Sequence, residues 1–362
     1  MTGTPARVVV ITHFPSPYQV ELFNEVERQH PGLLSVHYLL RAAAHRQWTG
    51  RPARHAHDFV APDRTAARAA VTQADFVVFN FYNDAAAADL IRARAATGRG
   101  WCFWGERPGY RYPLLARLMR LNRLAALHRS RQQIWGIGQW AVDAYRSEFG
   151  PDRGYVNLPY FSDLARFAAQ QPHHSSAARR FLFSGSLSRR KGIDLLAAAF
   201  AQLATELPNV HLTIMGEGPL ERRARAMLAS CAERVDFIGF RDWDALPDVY
   251  GAADILCVPS RHDGWGLVVP EGLAAGLPVI STDRTGAALD LIAPGQNGWI
   301  GRAGVMADLL AAMRQAAALG HSEWQAMSAS ARARAAGHSL ELGAARFVAA
   351  VAAAQDPPEA SA

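Results

Sequence analysis

Short apolar runs of strand length alternate with amphipathic, helix-like stretches along the chain. The β-branched run at residues 7–12 is followed by the proline-containing loop HFPSPY and then by a helical pattern. Further strand-like runs in the first half lie at residues 33–40, 74–81, 100–105 and 133–138. Alternation of this kind is typical of a parallel sheet with helices on both faces.

The same alternation restarts at residue 180 and continues through the second half. Strand-like runs recur at residues 180–185, 210–216, 234–240, 254–260 and 277–282. Because 362 residues exceed what one hydrophobic core usually serves, the sequence predicts an α/β fold with two doubly wound, Rossmann-like domains. Ligands of such sheets bind beyond the carboxyl ends of the strands, so we expect the two domains to face a central cleft.

A polar break separates the two halves. Residues 168–179 lose apolar periodicity and gather Pro, His and Ser, as a linker does. We therefore predict an N-terminal domain over 1–170 and a C-terminal domain over 178–335. A helix over 336–354 is expected to pack back on the N-terminal domain, and a disordered tail is expected over 355–362.

Composition narrows the class of protein. Apolar residues make up 50% of the chain and charged residues 19%, as in folded globular proteins. No stretch approaches the ~20 apolar residues of a membrane-spanning helix, and no export signal is visible, so we expect a cytoplasmic protein, either free or peripheral on the inner membrane face. The net charge of +6 indicates anionic partners. The absence of aromatic-basic RNA motifs argues against nucleic acid.

The stretch SGSLSRRKGIDLL, residues 184–196, is a candidate anion site. Gly185 allows a tight turn after a strand, and the next helix would offer its positive end to an anion. Lys191 stands just before that helix and could complete a cradle around a diphosphate. A solvated basic turn is the alternative. The stretch has neither a P-loop nor a GxGxxG pattern, which argues against an NTPase or a dinucleotide enzyme.

Two acids flank a Gly-Trp-Gly loop further along the chain. A helix is predicted to begin near Pro270 and to close at Gly276, which places Glu271 in its first turn. Asp263 and Glu271 could then bind the hydroxyls of a ribose and a sugar ring without a metal. Alternatively, Glu271 only stabilises the helix end and Asp263 only forms a turn.

Residues 180–301 resemble the retaining glycosyltransferases of family 4, which have the GT-B fold. The hallmark of that family is a pair of acids separated by seven positions, here Asp263-Gly-Trp-Gly-Leu-Val-Val-Pro-Glu271. The stretches GSLSRRKGIDLL, IMGEGPLERR, VDFIGF, DVYGAADILCVPS and GLPVIST follow in the family's order. The resemblance implies transfer of a hexose-type sugar from a UDP- or GDP-sugar to an acceptor hydroxyl with retention, in cell-surface polysaccharide or glycolipid biosynthesis.

The resemblance also assigns roles to residues of this chain. It implies three catalytic residues: Glu271 on the ribose, Asp263 on sugar hydroxyls and Lys191 on the diphosphate. The base would be read near Phe240. The other donor-binding positions that it implies are Gly185, Ser186, Arg190, Gly216, Gly264, Trp265, Gly266 and Leu267. The nucleotide sugar is a substrate in this family, so no cofactor and no metal are expected.

The chain departs from the family pattern at two positions, in the length of one acidic side chain and in the positive charge available for the phosphates. Asp263 is one methylene shorter than the usual Glu. Ser186 stands where the family usually has Arg, so Arg189 or Arg190 is expected to supply the missing phosphate charge. The Asp242-Trp-Asp244 spacing resembles a metal motif of other glycosyltransferases, but we interpret Asp244 as a helix N-cap.

The N-terminal half resembles the family more loosely and is expected to supply the acceptor side. The loop after the first strand would contribute His13, Tyr18 and Gln19, and the loop after residues 100–105 would contribute Glu106 and Arg107. The alternative for the first loop is a rigid proline turn packed on itself.

Residues 107–131 contain seven arginines and no acid, interleaved with leucines. Such a helix can rest on anionic lipid headgroups, which would suit a lipid-linked acceptor. A core-facing leucine stripe with a solvated arginine face is the alternative. Two other functions also stay open: a sugar-nucleotide epimerase or hydrolase on the same fold, and a non-catalytic nucleotide-binding scaffold.

Overall fold

The computed structural model describes residues 7–42, 51–108, 113–169 and 179–355. These residues form two compact units. The first runs to Ser162 and takes up the chain again from Leu340, and the second is Asp163–Ser339. The predicted tail and most of the predicted linker lie outside the described residues.

The first unit is built on a seven-stranded parallel sheet in the order β3-β2-β1-β4-β5-β6-β7. Its central strands are fully buried, as expected for a sheet covered on both faces. Its strands are β1 (Val8–Thr12), β2 (Leu34–Tyr38), β3 (Ala56–Phe59), β4 (Phe76–Phe79), β5 (Trp101–Gly105), β6 (Gln133–Gly136) and β7 (Tyr155–Asn157).

The second unit repeats this design with a six-stranded parallel sheet in the order β10-β9-β8-β11-β12-β13. Its strands are β8 (Arg179–Ser184), β9 (Val210–Met215), β10 (Val235–Gly239), β11 (Ile255–Cys257), β12 (Val279–Thr282) and β13 (Gly298–Gly301). The predicted class of two doubly wound α/β domains is confirmed.

Helices connect successive strands in both units. In the first half they are α1 (Pro17–Gln29), α2 (Thr65–Gln73), α3 (Ala85–Ala95), α4 (Pro113–Arg123), α5 (Ala125–His128) and α6 (Gln139–Phe149). The second unit has α7 (Ala165–Ala168), α8 (Ile193–Glu206), α9 (Glu221–Met227), α10 (Leu246–Gly251), α11 (Val268–Ala274), α12 (Gly286–Leu291), α13 (Met306–Ala318) and α14 (His321–Ala336). The last helix, α15 (Leu340–Gln355), belongs to the first unit.

The boundary between the units reflects the packing of two helices. The short helix α7 lies in the second unit, where the Phe167 ring meets the Tyr250 ring edge-on at 5.1 Å. The helix α15 packs on α1 in the first unit and places Phe347 against Trp104 and Trp135. The first unit therefore ends at Ser162, earlier than residue 170, and resumes with α15.

Three strands are absent from the sequence prediction: β3, β7 and β13. All three lie at sheet edges, and none presents a continuous buried apolar run. The helix-cap prediction for Asp244 is wrong. The Asp242 carboxylate accepts the Trp243 N–H at 2.7 Å and caps a short 3-10 helix at Trp243–Ala245 that precedes α10.

Candidate active site

Two loops lie side by side at the carboxyl edge of the second sheet. One joins β8 to α8 and the other joins β11 to α11, and β8 and β11 pair in parallel. Residues 189–191 of the first loop run next to residues 261–263 of the second. The Arg261 N–H donates to the Arg190 carbonyl at 2.8 Å, and the Arg190 guanidinium donates to the His262 carbonyl at 3.1 Å.

A close ion pair joins the two loops. Lys191 Nζ lies 2.5 Å from Asp263 Oδ2, and the Arg190 guanidinium lies 3.7 Å from the other carboxylate oxygen. The Lys191 and Asp263 side chains are only 16% and 12% exposed, so solvent screens their attraction weakly. The structure thus brings together Lys191, Arg190 and Asp263. Of the two arginines considered for the missing phosphate charge, it is Arg190 whose side chain faces the acid.

Close backbone approach shapes this edge at two glycines. A Cβ on Gly192, whose φ is +77°, would lie 2.0 Å from the Pro259 carbonyl oxygen. A Cβ on Gly216, whose φ is +126°, would lie 2.0 Å from the Gly185 carbonyl oxygen. Only glycine fits these positions, because any side chain would overlap the neighbouring main chain. The ends of β8, β9 and β11 are therefore drawn together around Lys191.

Glu271 lies in the first turn of α11, as predicted, although the helix begins at Val268 and Pro270 is its third residue. Proline is tolerated there because the first N–H groups of a helix have no intrahelical partner. The Tyr250 hydroxyl donates to Glu271 Oε2 at 3.0 Å. Burial, and secondly the negative Glu271, raise the pKa of Tyr250 well above its ordinary value, so Tyr250 remains a donor. The helix closes at Gly276 in a Schellman motif.

The Gly264–Leu267 segment is held in place by contacts of Trp265 with the main chain of α12 and with His338. The Trp265 carbonyl accepts the Ala287 N–H at 2.8 Å, and the Trp265 ring is buried and stacks on the His338 ring at 5.6 Å. Trp265 is therefore a core residue under the loop. Gly264, Gly266 and Leu267 continue from it towards α11.

The remaining predicted donor positions lie at the same edge. Gly185 and Ser186 follow β8, and Ser186 is exposed. Phe240 follows β10 and is half-buried. Since parallel strands end at one edge, the positions named from the sequence converge on the carboxyl side of β8, β9, β10 and β11.

Two charged residues at this site were missed by the sequence analysis. The Arg261 guanidinium makes a bidentate pair with Asp194 at 2.6 and 2.9 Å and also donates to the Arg189 carbonyl at 2.7 Å. Burial raises the pKa of Asp194, but the hydrogen bond and charge of Arg261 outweigh it, so that the pKa is lowered overall. The sequence signal that could have identified Arg261 was its position as a charged residue two positions before Asp263.

The carboxyl edge of the first sheet carries an uncharged network instead. Gln19 Nε2 donates to Asn80 Oδ1 at 2.6 Å, and Asn80 Nδ2 donates to the Trp104 carbonyl at 2.8 Å. The Thr12 and Ser16 hydroxyls lie 3.2 and 2.9 Å from Gln19 Oε1. Gln19 is therefore buried beneath the edge, where it joins the end of β1 and the loop after it to Asn80, and Asn80 in turn holds the main chain of β5.

Aromatic rings cover this network. The His13 ring stacks on Phe81 at 4.0 Å, and the Tyr18 ring lies 4.6 Å from the Tyr160 ring. The proline-containing loop thus packs against its own unit, as its alternative interpretation expected, while His13 and Tyr18 remain half-buried at the edge.

The two candidates after β5 are placed differently from each other. The Glu106 carbonyl accepts the Tyr145 hydroxyl at 2.7 Å, and this residue is otherwise exposed. The Arg107 guanidinium lies 4.2 Å above the Trp140 ring. Both follow β5 and therefore end at the same sheet edge as His13.

The basic segment 107–131 forms α4 and α5 over its described part. Arg120 is buried and forms a bidentate pair with Glu148, with Nη2 2.7 Å from Oε2. Leu118, Met119 and Leu121 are 63%, 40% and 43% exposed. The alternative of a core-facing leucine stripe with a solvated arginine face is therefore wrong for these residues of α4, although Leu124 and Leu127 are buried.

Comparisons with known proteins show what this chain is similar to. Residues 166–334 match the family model described as "Glycosyl transferases group 1". The chain is 30% identical over 233 residues to a lipopolysaccharide core biosynthesis mannosyltransferase of Rhizobium meliloti, which covers 57% of this chain and 64% of that protein. It is 30% identical over 168 residues to a GDP-mannose-dependent monoacylated alpha-(1-6)-phosphatidylinositol monomannoside mannosyltransferase of Corynebacterium glutamicum, covering 42% and 44%.

Among solved structures, Anabaena HepE in complex with UDP superposes with a TM-score of 0.78 at 14% identity, covering 96% of this chain and 100% of that one. The chain spans about half the length of the curated relatives it matches. No helix in the four described ranges is long and apolar enough to cross a membrane. The GT-B fold class is confirmed, and the match of residues 166–334 to the model of the glycosyl transferases group 1 agrees with the resemblance read from the sequence.

Proposed function

We propose that the chain is a retaining glycosyltransferase that moves a hexose-type sugar from a nucleotide diphosphate sugar to an acceptor hydroxyl. The observation that carries this proposal is the Lys191–Asp263 contact at the carboxyl edge of the second sheet. A diphosphate entering there would meet Lys191 and Arg190, and its sugar would meet the carboxylate that Lys191 releases.

The proposed reaction relies on charge and position. The bond between the sugar's anomeric carbon and the diphosphate oxygen breaks, and a bond from the same face to the acceptor oxygen forms. The acceptor's proton passes to the departing phosphate, so no protein base is needed. Lys191 and Arg190 stabilise the charge that develops on the diphosphate. Glu271, held by Tyr250, accepts hydroxyls of the ribose and fixes the donor's orientation.

The donor is proposed to be GDP-mannose, with a UDP-sugar as the second candidate. The names of the relatives from C. glutamicum and R. meliloti support a mannosyl donor, and the former names GDP-mannose. The UDP bound by HepE supports the second candidate. A thermal-shift series with GDP, UDP and ADP distinguishes them, because a ligand that binds only the folded state raises the melting temperature.

Turnover tests the proposal directly. Incubation with the selected donor and a panel of mannosylated lipid and oligosaccharide acceptors should yield a product whose anomeric configuration, measured by NMR, equals that of the donor. Stoichiometric release of free sugar without any acceptor would favour a hydrolase. Nucleotide binding without turnover of any donor would favour a scaffold.

The proposed reaction uses no bound metal. The support is the presence of two cationic side chains, Lys191 and Arg190, where a metal-dependent enzyme would need a cation for the diphosphate. Turnover should survive dialysis against EDTA, and recovery only after addition of Mg²⁺ or Mn²⁺ would refute this part.

The acceptor is proposed to be lipid-linked, with α4 resting on the inner membrane face of a cytoplasmic enzyme. The exposed Leu118, Met119 and Leu121 beside the exposed Arg117 support this contact. Phosphatidylglycerol vesicles should co-sediment the protein more than phosphatidylcholine vesicles. The double change Leu118→Gln and Leu121→Gln should reduce binding, whereas Leu342→Gln, which alters an equally exposed leucine of α15, should not.

A further inference from the structure

Arg261 joins the loop after β11 both to the loop after β8 and to the first turn of α8. Its guanidinium holds both carboxylate oxygens of Asp194 at 2.6 and 2.9 Å and the Arg189 carbonyl at 2.7 Å. Its own N–H donates to the Arg190 carbonyl at 2.8 Å. One side chain thus fixes the main chain on the residues just before Lys191.

Asp194 gives this contact an electrostatic consequence. It lies in the first turn of α8, where a carboxylate competes with any ligand anion for the positive end of the helix. The side chains of Arg261 and Asp194 are only 20% and 16% exposed, so their attraction is weakly screened. Arg261 therefore neutralises an acid that would otherwise repel a diphosphate next to Lys191.

The contacts on the two loops are in register. Arg261 reaches back to residues 189 and 190, Arg190 reaches across to the His262 carbonyl, and Lys191 meets Asp263. These contacts involve consecutive residues on both loops. The position of Arg261 therefore sets the position of the Lys191–Asp263 pair.

We infer that Arg261 is a positioning residue that holds Lys191 and Asp263 opposite each other and keeps Asp194 from opposing the donor's diphosphate. This role rests on the proposed function. Arg261 acts through Lys191 and through Asp194, and it needs no contact with the donor. A planar fork is required, because a lysine at this position could not bind both oxygens of Asp194 and the Arg189 carbonyl together.

The chain offers a control pair of the same chemistry, in which the arginine is more exposed (73% for Arg302 against 20% for Arg261). Arg302 pairs with Asp308 in the first turn of α13 at 2.7 and 2.8 Å, which repeats the Arg–Asp contact at another helix of the same unit. Arg261→Met should raise the Kd for GDP or UDP about tenfold, the effect of a lost charge-assisted contact. Arg302→Met should change it less than about twofold. Equal effects of the two changes would overturn the inference.

Two further readouts separate positioning from general destabilisation. In a Lys191→Met background, Arg261→Met should weaken nucleotide binding by less than it does in the parent, because the positioning part of its effect acts through Lys191 and only the repulsion from Asp194 remains. An additive loss would contradict the inference. Arg261→Lys should give an intermediate Kd, and it provides the same comparison if Arg261→Met does not fold.

Amine labelling supplies a readout that needs no nucleotide. Lys191 is the only lysine in the sequence, so acetylation by an N-hydroxysuccinimide ester reports on one side chain. Labelling of Lys191 should be faster in Arg261→Met than in the parent and unchanged in Arg302→Met. If the parent binds no nucleotide, the proposed function fails, while the labelling rates still decide whether Arg261 positions Lys191.

Discussion

The two carboxyl edges of this protein are built on the same parallel α/β design and differ in chemistry. The edge of the second sheet holds paired opposite charges, Lys191 with Asp263 and Arg261 with Asp194. A site built from ion pairs can exchange a carboxylate for a ligand phosphate without leaving a cation unpaired. This edge is therefore suited to an anionic ligand.

The edge of the first sheet fixes its loops with neutral groups. Thr12, Gln19 and Asn80 are joined by hydrogen bonds under a cover of aromatic rings. This network carries no charge of its own and is covered by ring faces, although the charged Glu106 and Arg107 follow β5 at the same edge. The same strand ends thus acquire different chemistry from the few residues that follow each strand.

The carboxyl edge of the second sheet, called the charged edge below, uses arginine and lysine for different tasks. The chain contains 38 lysines and arginines, and Lys191 is the only lysine. Arg190 and Arg261 use their planar forks to tie loops to main-chain carbonyls. The ammonium of Lys191 is a compact charge that can move from a carboxylate to a phosphate oxygen.

Removing either the cation or the ribose acid should produce the largest effect. Lys191→Ala and Glu271→Gln should each lower turnover by about 100-fold or more, because each deletes a proposed interaction with the donor at the charged edge. Steady-state kinetics with saturating acceptor measure this. Arg302→Met serves as the control, and activity within a few-fold of the parent in both site variants would end the assignment of this edge.

The response to acid should come next in size, and it should distinguish the two units, because it depends on His55, which precedes β3 in the first unit. Burial, and secondly the charge of His57, lower the pKa of His55 in the first unit to about 4. The unfolded chain, with an ordinary His pKa near 6.5, binds this proton more readily, so stability is fully present above pH 6.5 and is lost as pH falls towards 4. About 2 kcal/mol should be lost between pH 7.5 and pH 5.

Denaturant unfolding at several pH values measures this loss. His55→Gln should flatten the dependence in that window. The Asp194 pair should matter only at lower pH, since the pKa of this acid is lowered from an ordinary value of 3.8. A dependence that is identical in parent and His55→Gln would refute the assignment to His55.

Neutralising Asp263 at the charged edge should have a smaller effect, and it should strengthen nucleotide binding. Asp263→Asn frees Lys191 and removes a repulsion, so GDP or UDP should bind about tenfold more tightly, as expected for one charge pair. Turnover should fall, because the sugar loses an acceptor of its hydroxyls. Isothermal titration measures the Kd, and Asp263→Glu, which keeps the charge, is the control. Weaker nucleotide binding by Asp263→Asn would contradict this view.

The two edges also differ in how much of their chemistry could be predicted from the sequence. Local patterns made Lys191, Asp263 and Glu271 candidates, because the glycines and acids lie close together in the chain, and the resemblance to the family then assigned their roles. The contact between Lys191 and Asp263 spans 72 positions and depends on the pairing of β8 with β11, which no local pattern contains. Arg261 was missed for the same reason.

Asn80 and the three missed strands show the other limit. Asn80 meets Gln19 only because β1 pairs with β4, and an isolated asparagine after a strand has no motif. The strands β3, β7 and β13 lie at sheet edges, where fewer side chains are buried, so the apolar run that identifies a central strand is absent.

Breaking the neutral network should give the smallest effect, and it should fall on stability alone. Asn80→Ala removes the partner of Gln19 Nε2 and the donor to the Trp104 carbonyl. Because Asn80 is only half-buried and water can replace part of its bonding, we expect a loss of about 1 kcal/mol in unfolding free energy. The Kd for GDP or UDP should not change, since this network lies in the first unit. Denaturant unfolding and titration together test this, with the exposed Asn122→Ala as the control. A change in nucleotide affinity without a change in stability would mean that the neutral edge, and not only the charged one, contributes to donor binding.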